Sequence, residues 1–363
     1  MSRPARAEID LQALKTNLRR VRQAAPTSRV VAVIKANGYG HGIGRVAHAL
    51  SGADAFGVAC IDEAIELRQT GLEQRIVLLE GVFEPDEMLL VQKYKLDVVV
   101  HQQQQIDILE HVSTTPNSHP HTVTTWLKID TGMHRLGFNP DESTVLYHRL
   151  LNCSIVDRSI IMMTHLANAD DRNDDTTLKQ LSRFDSVSDG LVCERSIANS
   201  GGILGWPQSH REWVRPGIML YGITPFNDGV GKDLGLVPVM TVKSRLFAIH
   251  NFSKGDPIGY GGAWVCPEDM RVGVVAFGYG DGYPRQAVNG TPVLVNGQRT
   301  PLIGRVSMDM ICVDLRTQPN AKVGDTVELW GKNLPAEEVA KHASTIAYDL
   351  VCGITQRVKL IYL

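Results

Sequence analysis

The chain has 363 residues, 43% of them apolar and 21% charged, a usage typical of soluble globular proteins that excludes a disordered chain. At roughly 100–200 residues per domain, this length fits two domains, one of which can be an α/β barrel of about 250 residues. With 37 Lys and Arg against 39 Asp and Glu the net charge is −2, so no global field favours nucleic acid or an anionic membrane.

The longest apolar run, 30–34, falls far short of the roughly 18 residues that a membrane span needs. Residues 1–8 carry no apolar segment behind their charges, so no signal peptide is expected. Six cysteines are scattered outside any C-x-x-C spacing. They are expected to be reduced, mostly buried thiols of a cytoplasmic protein, forming neither a disulfide framework nor a zinc site.

After an opening helix near 10–25, β-branched runs alternate with amphipathic stretches. Strands are expected at 30–34, 55–59, 75–79, 96–100, 122–129, 160–165, 195–198 and 213–214. Between the second and third, Asp62-Glu63-Ala64-Ile65-Glu66-Leu67-Arg68 is acidic first and basic last, and Gly71 stops it. Pro85 and Pro140 are each placed to open a helix, and Gln102–Gln105 reads as the solvated first turn of another. Eight runs without strict alternation point to a parallel sheet closed as a (β/α)8 TIM-type barrel over 1–234. An open doubly wound sheet competes, but no G-x-G-x-x-G follows the first strand.

From 235 to 363 the pattern changes to a mainly β C-terminal domain, with strand runs at 238–250, 271–277, 291–295, 311–315, 326–330 and 356–362. Asn289-Gly290 and Asn296-Gly297 are hairpin signals, and one helix is expected at 336–342 after Pro335. Residues 227–233 read as the connection.

A barrel carries its chemistry at the C-terminal ends of the strands. Lys35 ends the first, in Ala32-Val33-Ile34-Lys35-Ala36-Asn37-Gly38-Tyr39-Gly40-His41-Gly42. Position alone allows a lysine emerging into solvent or a desolvated amine suited to covalent catalysis. The fifth strand runs into Lys128-Ile129-Asp130-Thr131-Gly132-Met133-His134-Arg135-Leu136-Gly137. The sixth ends at His165, which on its own reads as a satisfied core residue or a catalytic group. Ala198-Asn199-Ser200-Gly201-Gly202 and Val214-Arg215-Pro216-Gly217-Ile218 follow the last two strands, where a barrel phosphate site needs small residues and free amides. His101, His119 and His121 lie at no metal-ligand spacing, so no metal is assigned.

Taken together these motifs resemble the bacterial alanine racemases, enzymes dependent on pyridoxal 5′-phosphate (PLP), over nearly the whole chain. Gly259-Tyr260-Gly261-Gly262, Gly278-Tyr279-Gly280-Asp281-Gly282-Tyr283 and Gly304-Arg305-Val306-Ser307-Met308-Asp309 also match the family. The resemblance implies that Lys35 binds PLP covalently and moves the α-proton on the D-alanine face, and that Tyr260, supplied by the partner subunit of a homodimer, serves the L-alanine face. It implies that Arg135 and the partner's Met308 contact substrate, and that Arg215 faces the pyridine nitrogen with His165 behind it. Tyr39, Ser200, Gly217, Ile218 and Tyr348 match phosphate ligands, with Asn199 beside them, and Lys128 matches a lysine carbamylated in many members. Gly38 stands where the family usually has alanine, a departure expected only to loosen the loop after Lys35.

Racemisation removes a weakly acidic Cα proton and returns one to the opposite face, so two bases are needed while the cofactor supplies the electron sink. The closest rival is a racemase of the same plan acting on serine, lysine or a broad set of amino acids. A PLP decarboxylase of this plan would place a cysteine where Tyr260 matches, and a PLP-carrying barrel of the cofactor-homeostasis kind lacks the β domain. Read without the resemblance, Gly259–Gly262 and Gly278–Tyr283 are β-turns and Met308 fills a core gap.

Overall fold

The computed structural model describes residues 3–114 and 122–363; His119 and His121 lie outside them. Eight parallel strands close into a barrel: Arg29–Val33, Ala55–Val58, Arg75–Leu78, Leu96–Val100, Thr125–Lys128, Ile161–Met163, Glu194–Ser196 and Trp213–Val214. Each falls on a run expected from the sequence, mostly trimmed at its ends. The sixth stops at Met163, so His165 stands on the loop beyond its strand. Alternate residues point inward, and Val31, Ala55, Val77, Val99, Trp126, Ile161, Met163 and Trp213 form a buried cluster separate from the main core, as the filled interior of such a barrel requires.

The local signals account for most helices. Asp10 Oδ1 accepts from the Gln12 and Ala13 amides, both at 2.9 Å, and so caps Leu11–Ala24. Ile61–Gln69 has its acids in the first turn and Arg68 in the last. Pro85 precedes Glu87–Lys93 by two residues, and Pro140 opens a single 3-10 turn before Ser143–Asn152. Gln105 departs from expectation. It is buried, accepts from the His101 amide at 2.8 Å, and donates to the Glu80 and Val82 carbonyls.

At the N-terminal end of the barrel, charged groups cap the two tryptophans. The Trp126 Nε1–H donates to Asp97 at 2.9 Å and Trp213 Nε1–H to Glu194 at 2.8 Å. Arg29 pairs with Glu194 and lies over the Trp213 ring, and Arg75 lies 3.4 Å from Asp97. Burial outweighs Arg75 and pushes the Asp97 carboxyl up to about 6. A carboxyl that prefers its proton in the folded state stabilises the fold as pH falls from about 6 towards the ordinary carboxylate range, and this contribution is absent above about 6. Two pKa units correspond to about 3 kcal/mol at most. Asp97→Asn should therefore remove a rise in thermal midpoint between pH 7 and pH 5, read by calorimetry against wild type; an unchanged pH profile contradicts this.

The second domain is an eight-stranded, mostly antiparallel sheet built around the 13-residue strand Met240–Phe252. That strand pairs with Met270–Val275, Thr326–Trp330 and Arg6–Ile9. Arg6–Ile9 also pairs in parallel with Lys359–Tyr362, so the start of the chain joins the second sheet and not the barrel. Its four residues alternate polar and apolar, and their burial alternates with them, a strand signal too short to stand out beside the helix that follows. Asn296-Gly297 closes the hairpin between Pro292–Val295 and Gln298–Ile303, both residues at positive φ. Asn289-Gly290 closes none: the Asn289 side chain accepts from the Gly304 amide. Helix Ala336–His342 is where Pro335 placed it, and a further helix, Ala347–Cys352, carries Tyr348.

Candidate active site

Lys35 leaves the first barrel strand into an unusual turn. Ala36, Asn37, Gly38 and Tyr39 all have φ between +51° and +62°, a left-handed run that costs roughly 1–2 kcal/mol for each residue with a side chain. Tertiary contacts hold it. The Glu63 carboxylate accepts from the Ala36 amide at 2.7 Å and the Ala59 amide at 2.8 Å. The Asn37 side chain accepts from the Ile43 amide, and the Tyr39 ring stacks on Tyr221 with centroids 4.6 Å apart. Gly38 does more than loosen this loop. It adopts the left-handed conformation itself, and a Cβ there would sit 3.1 Å from Val46 Cγ2. Gly38→Ala should lower stability by about 1 kcal/mol or more, measured by urea denaturation.

The turn opens onto a cavity of about 860 Å³ at the C-terminal end of the barrel. Lys35, Tyr39, Lys128, Arg135, His165, Asn199, Ser200, Arg215, Gly217, Ile218 and Tyr348 all line it. Eleven of the thirteen residues singled out in the sequence thus share one cavity. The other two, Tyr260 and Met308, do not line it. They stand on the surface of the second domain, 67% and 52% exposed, Tyr260 on a turn between Pro257–Ile258 and Trp264–Val265. Met308 therefore fills no core gap.

Arg215 is buried, and its guanidinium is held by uncharged groups alone. It donates to Ser196 Oγ and the Thr164 carbonyl, each at 2.6 Å, and to the Ile197 carbonyl at 3.3 Å. His165 Nδ1 lies 3.4 Å from the same group. Burial brings the guanidinium down to about 10, so it stays charged at neutral pH. Burial, then Arg215 and the neighbouring cations, hold His165 well below the usual imidazole range. The ring is neutral and accepts at Nδ1, which places its proton on Nε2. Burial, then Arg215, Arg135 and Lys35, push the Lys128 amine down to about 8.

Asp130 opposes this lowering at Lys128, but as the weakest of these influences. Its Oδ1 accepts from the amides of Gly132, Met133 and His134 at 3.0–3.1 Å, a closed loop that sets Arg135 on the cavity rim. Across the cavity, Ser200 Oγ accepts from the Gly217 amide at 2.9 Å and keeps its hydroxyl proton to donate. Asn199 caps the short helix Ser200–Gly205 through the Gly202 amide. A Cβ on Gly217 would lie 2.5 Å from the Tyr39 hydroxyl, so only glycine admits that ring. Burial holds the Tyr39 and Tyr348 phenols above their usual range, and both remain donors. The cavity thus pairs a cationic half with a cluster of neutral donors, an arrangement fitted to an anionic ligand carrying a phosphate.

Sequence reasoning missed Glu63, Asp130 and Tyr221 as supports of this site. Glu63 was visible only as a helix-dipole charge, and nothing local ties it to a turn 27 residues earlier.

Known proteins share this fold over nearly the whole chain. The family model described as alanine racemase, N-terminal domain, matches residues 9–225, and that described as alanine racemase, C-terminal domain, matches 239–362. An alanine racemase of Nitrosococcus oceani is 53% identical over 353 residues, 97% of each chain. The structure of a biosynthetic alanine racemase from Pseudomonas aeruginosa superposes with a TM-score of 0.95 at 42% identity, covering 99% of both chains. One from Bartonella henselae, with covalently bound pyridoxal phosphate, gives 0.89 at 31% identity over 99% of both chains.

Proposed function

We infer from a chain that belongs to the alanine racemase family that it interconverts L-alanine and D-alanine with PLP, and which of its residues do so. The observation that carries this reading is the convergence of Lys35, Arg215 and the Ser200–Gly217 cradle on one cavity. The donor set fits the cofactor. Lys35 is the point of covalent attachment. Tyr39, Ser200, Gly217, Ile218 and Tyr348, with Asn199 as the cap behind them, hold the phosphate. Arg215 would face the ring nitrogen, backed by neutral His165.

When bound, PLP supplies the electron sink for a carbanion at Cα. The protein supplies the rest. Arg135 takes the substrate carboxylate. Lys35 Nζ holds the proton exchanged on the D face, and Tyr260 Oη, from the partner subunit, holds the one exchanged on the L face. Met308 of that partner contacts the substrate. Arg215 keeps its own proton, so it would donate a hydrogen bond to the ring nitrogen without protonating it. PLP held this way would supply a weaker sink, which would favour return of the proton over side reactions. The working unit is a homodimer with shared sites, in the cytoplasm. Among the described residues no helix is long and apolar enough to cross a membrane.

Lys128 is the carbamylation candidate. A neutral amine adds to CO2, forming the N–C bond and releasing one proton. At about 8 roughly a tenth of the amine is neutral at pH 7, against less than about a thousandth for an ordinary lysine. The product carries a negative charge beside Arg135. Protein equilibrated with 13C-bicarbonate should show a carbamate resonance that Lys128→Ala lacks; a signal equal in both contradicts the assignment. The activity itself is tested by following D-alanine from L-alanine with purified protein, then repeating with L-serine and L-lysine. Alanine turnover should dominate, and turnover of serine or lysine alone would replace the substrate.

A further inference from the structure

Asp281 is fully buried, and its carboxylate is where both ends of the chain meet. Arg3 donates to it from Nε at 3.2 Å and Nη2 at 2.7 Å, Arg357 Nε lies 3.3 Å away, and the Gly278 amide donates at 2.9 Å. The same two guanidinium groups reach Asp309, the neighbour of Met308. Arg3 Nη2 donates to its carbonyl at 2.6 Å and Arg357 Nη2 to its carboxylate at 2.5 Å. The turn that holds Asp281 is bonded to the Met308 loop as well: the Tyr279 amide donates to the Ser307 carbonyl at 3.0 Å and the Gly280 amide to the Met308 carbonyl at 2.8 Å. A Cβ on Gly278 would lie 2.3 Å from the Ser307 oxygen, so the two segments have no slack between them.

A buried ion pair is weak evidence of stability, because desolvation offsets its attraction. Forked guanidinium contacts do fix geometry. We propose that Asp281, with Arg3 and Arg357, is a positioning cluster that sets the surface loop 307–310 for the active site of the other subunit. It touches neither substrate nor cofactor and acts through Met308. This rests on the reading that the sites are shared between chains.

Heterodimers with Lys35→Ala in one chain have a single competent cavity, and that cavity receives the loop of the Lys35→Ala chain. Asp281→Asn placed on the Lys35→Ala chain should lower kcat/KM per competent cavity by about 10- to 100-fold, the scale of an ångström of misplacement. Asp281→Asn placed on the chain with intact Lys35 should leave it near the heterodimer that lacks the Asp281 change. Equal losses in both arrangements, or no loss in either, overturn the proposal. If Asp281→Asn gives no soluble protein, Arg357→Gln, at a partly exposed position, is run in the same two arrangements with the same reading. The control pairs Lys35→Ala with Tyr260→Phe. No return of activity there, with subunit exchange demonstrated, overturns the shared sites and this proposal together. Activity there with equal losses for Asp281 overturns the cluster alone.

Discussion

Lys35→Ala should yield a folded, colourless chain with almost no racemisation. The side chain sits at a strand end and is only half-buried, so its loss leaves the barrel core intact. On the proposed roles two functions go at once, the covalent hold on the cofactor and the proton carrier on one face. The fall should therefore exceed the roughly 10²–10⁴-fold that one positioned acid or base contributes. Lys128 is the rival for attachment, since burial and neighbouring cations push its amine down to about 8. Geometry favours Lys35: it opens the left-handed turn that carries Tyr39, whose hydroxyl meets Gly217 of the cradle. Borohydride reduction of wild type followed by peptide mapping should find the adduct on the Lys35 peptide. An adduct on the Lys128 peptide reverses the assignment.

Tyr260→Phe should retain the cofactor and lose racemisation by about 10²–10⁴-fold in both directions. The ring stays and only the hydroxyl goes, on a surface turn where nothing of the fold depends on it. An enzyme cannot move the equilibrium between enantiomers, so kcat/KM must fall equally from either side. That quantity thus measures the size of the loss and says nothing of which face was served.

The barrel was legible because a strand buried on both faces reads as an apolar run, and a strand end is where such a fold places its chemistry. That rule alone reached Lys35, His165, Arg215 and the residues around Ser200. Tyr260 and Met308 were reached only through family resemblance. They are exposed on turns of another domain, and no local pattern would mark a residue for the role proposed for them in a second chain. The left-handed run was invisible for a different reason. Ala36 and Tyr39 do not favour positive φ, and what holds the run there, Glu63 and Tyr221, is far off in sequence. Gln105 misled similarly: a glutamine in a polar run reads as solvated, yet its bonds go to a loop more than twenty residues earlier.

The central claim is that Lys35 and Tyr260 each serve one face of the substrate. It is tested most directly by NMR in deuterated water, following loss of the α-proton of L-alanine and of D-alanine separately on Tyr260→Phe. Removing the tyrosine hydroxyl should slow exchange of L-alanine by orders of magnitude while D-alanine, still served by Lys35, exchanges close to the wild-type rate. Equal slowing of both would mean that Tyr260 acts on neither face in particular, and the two-base assignment would fall.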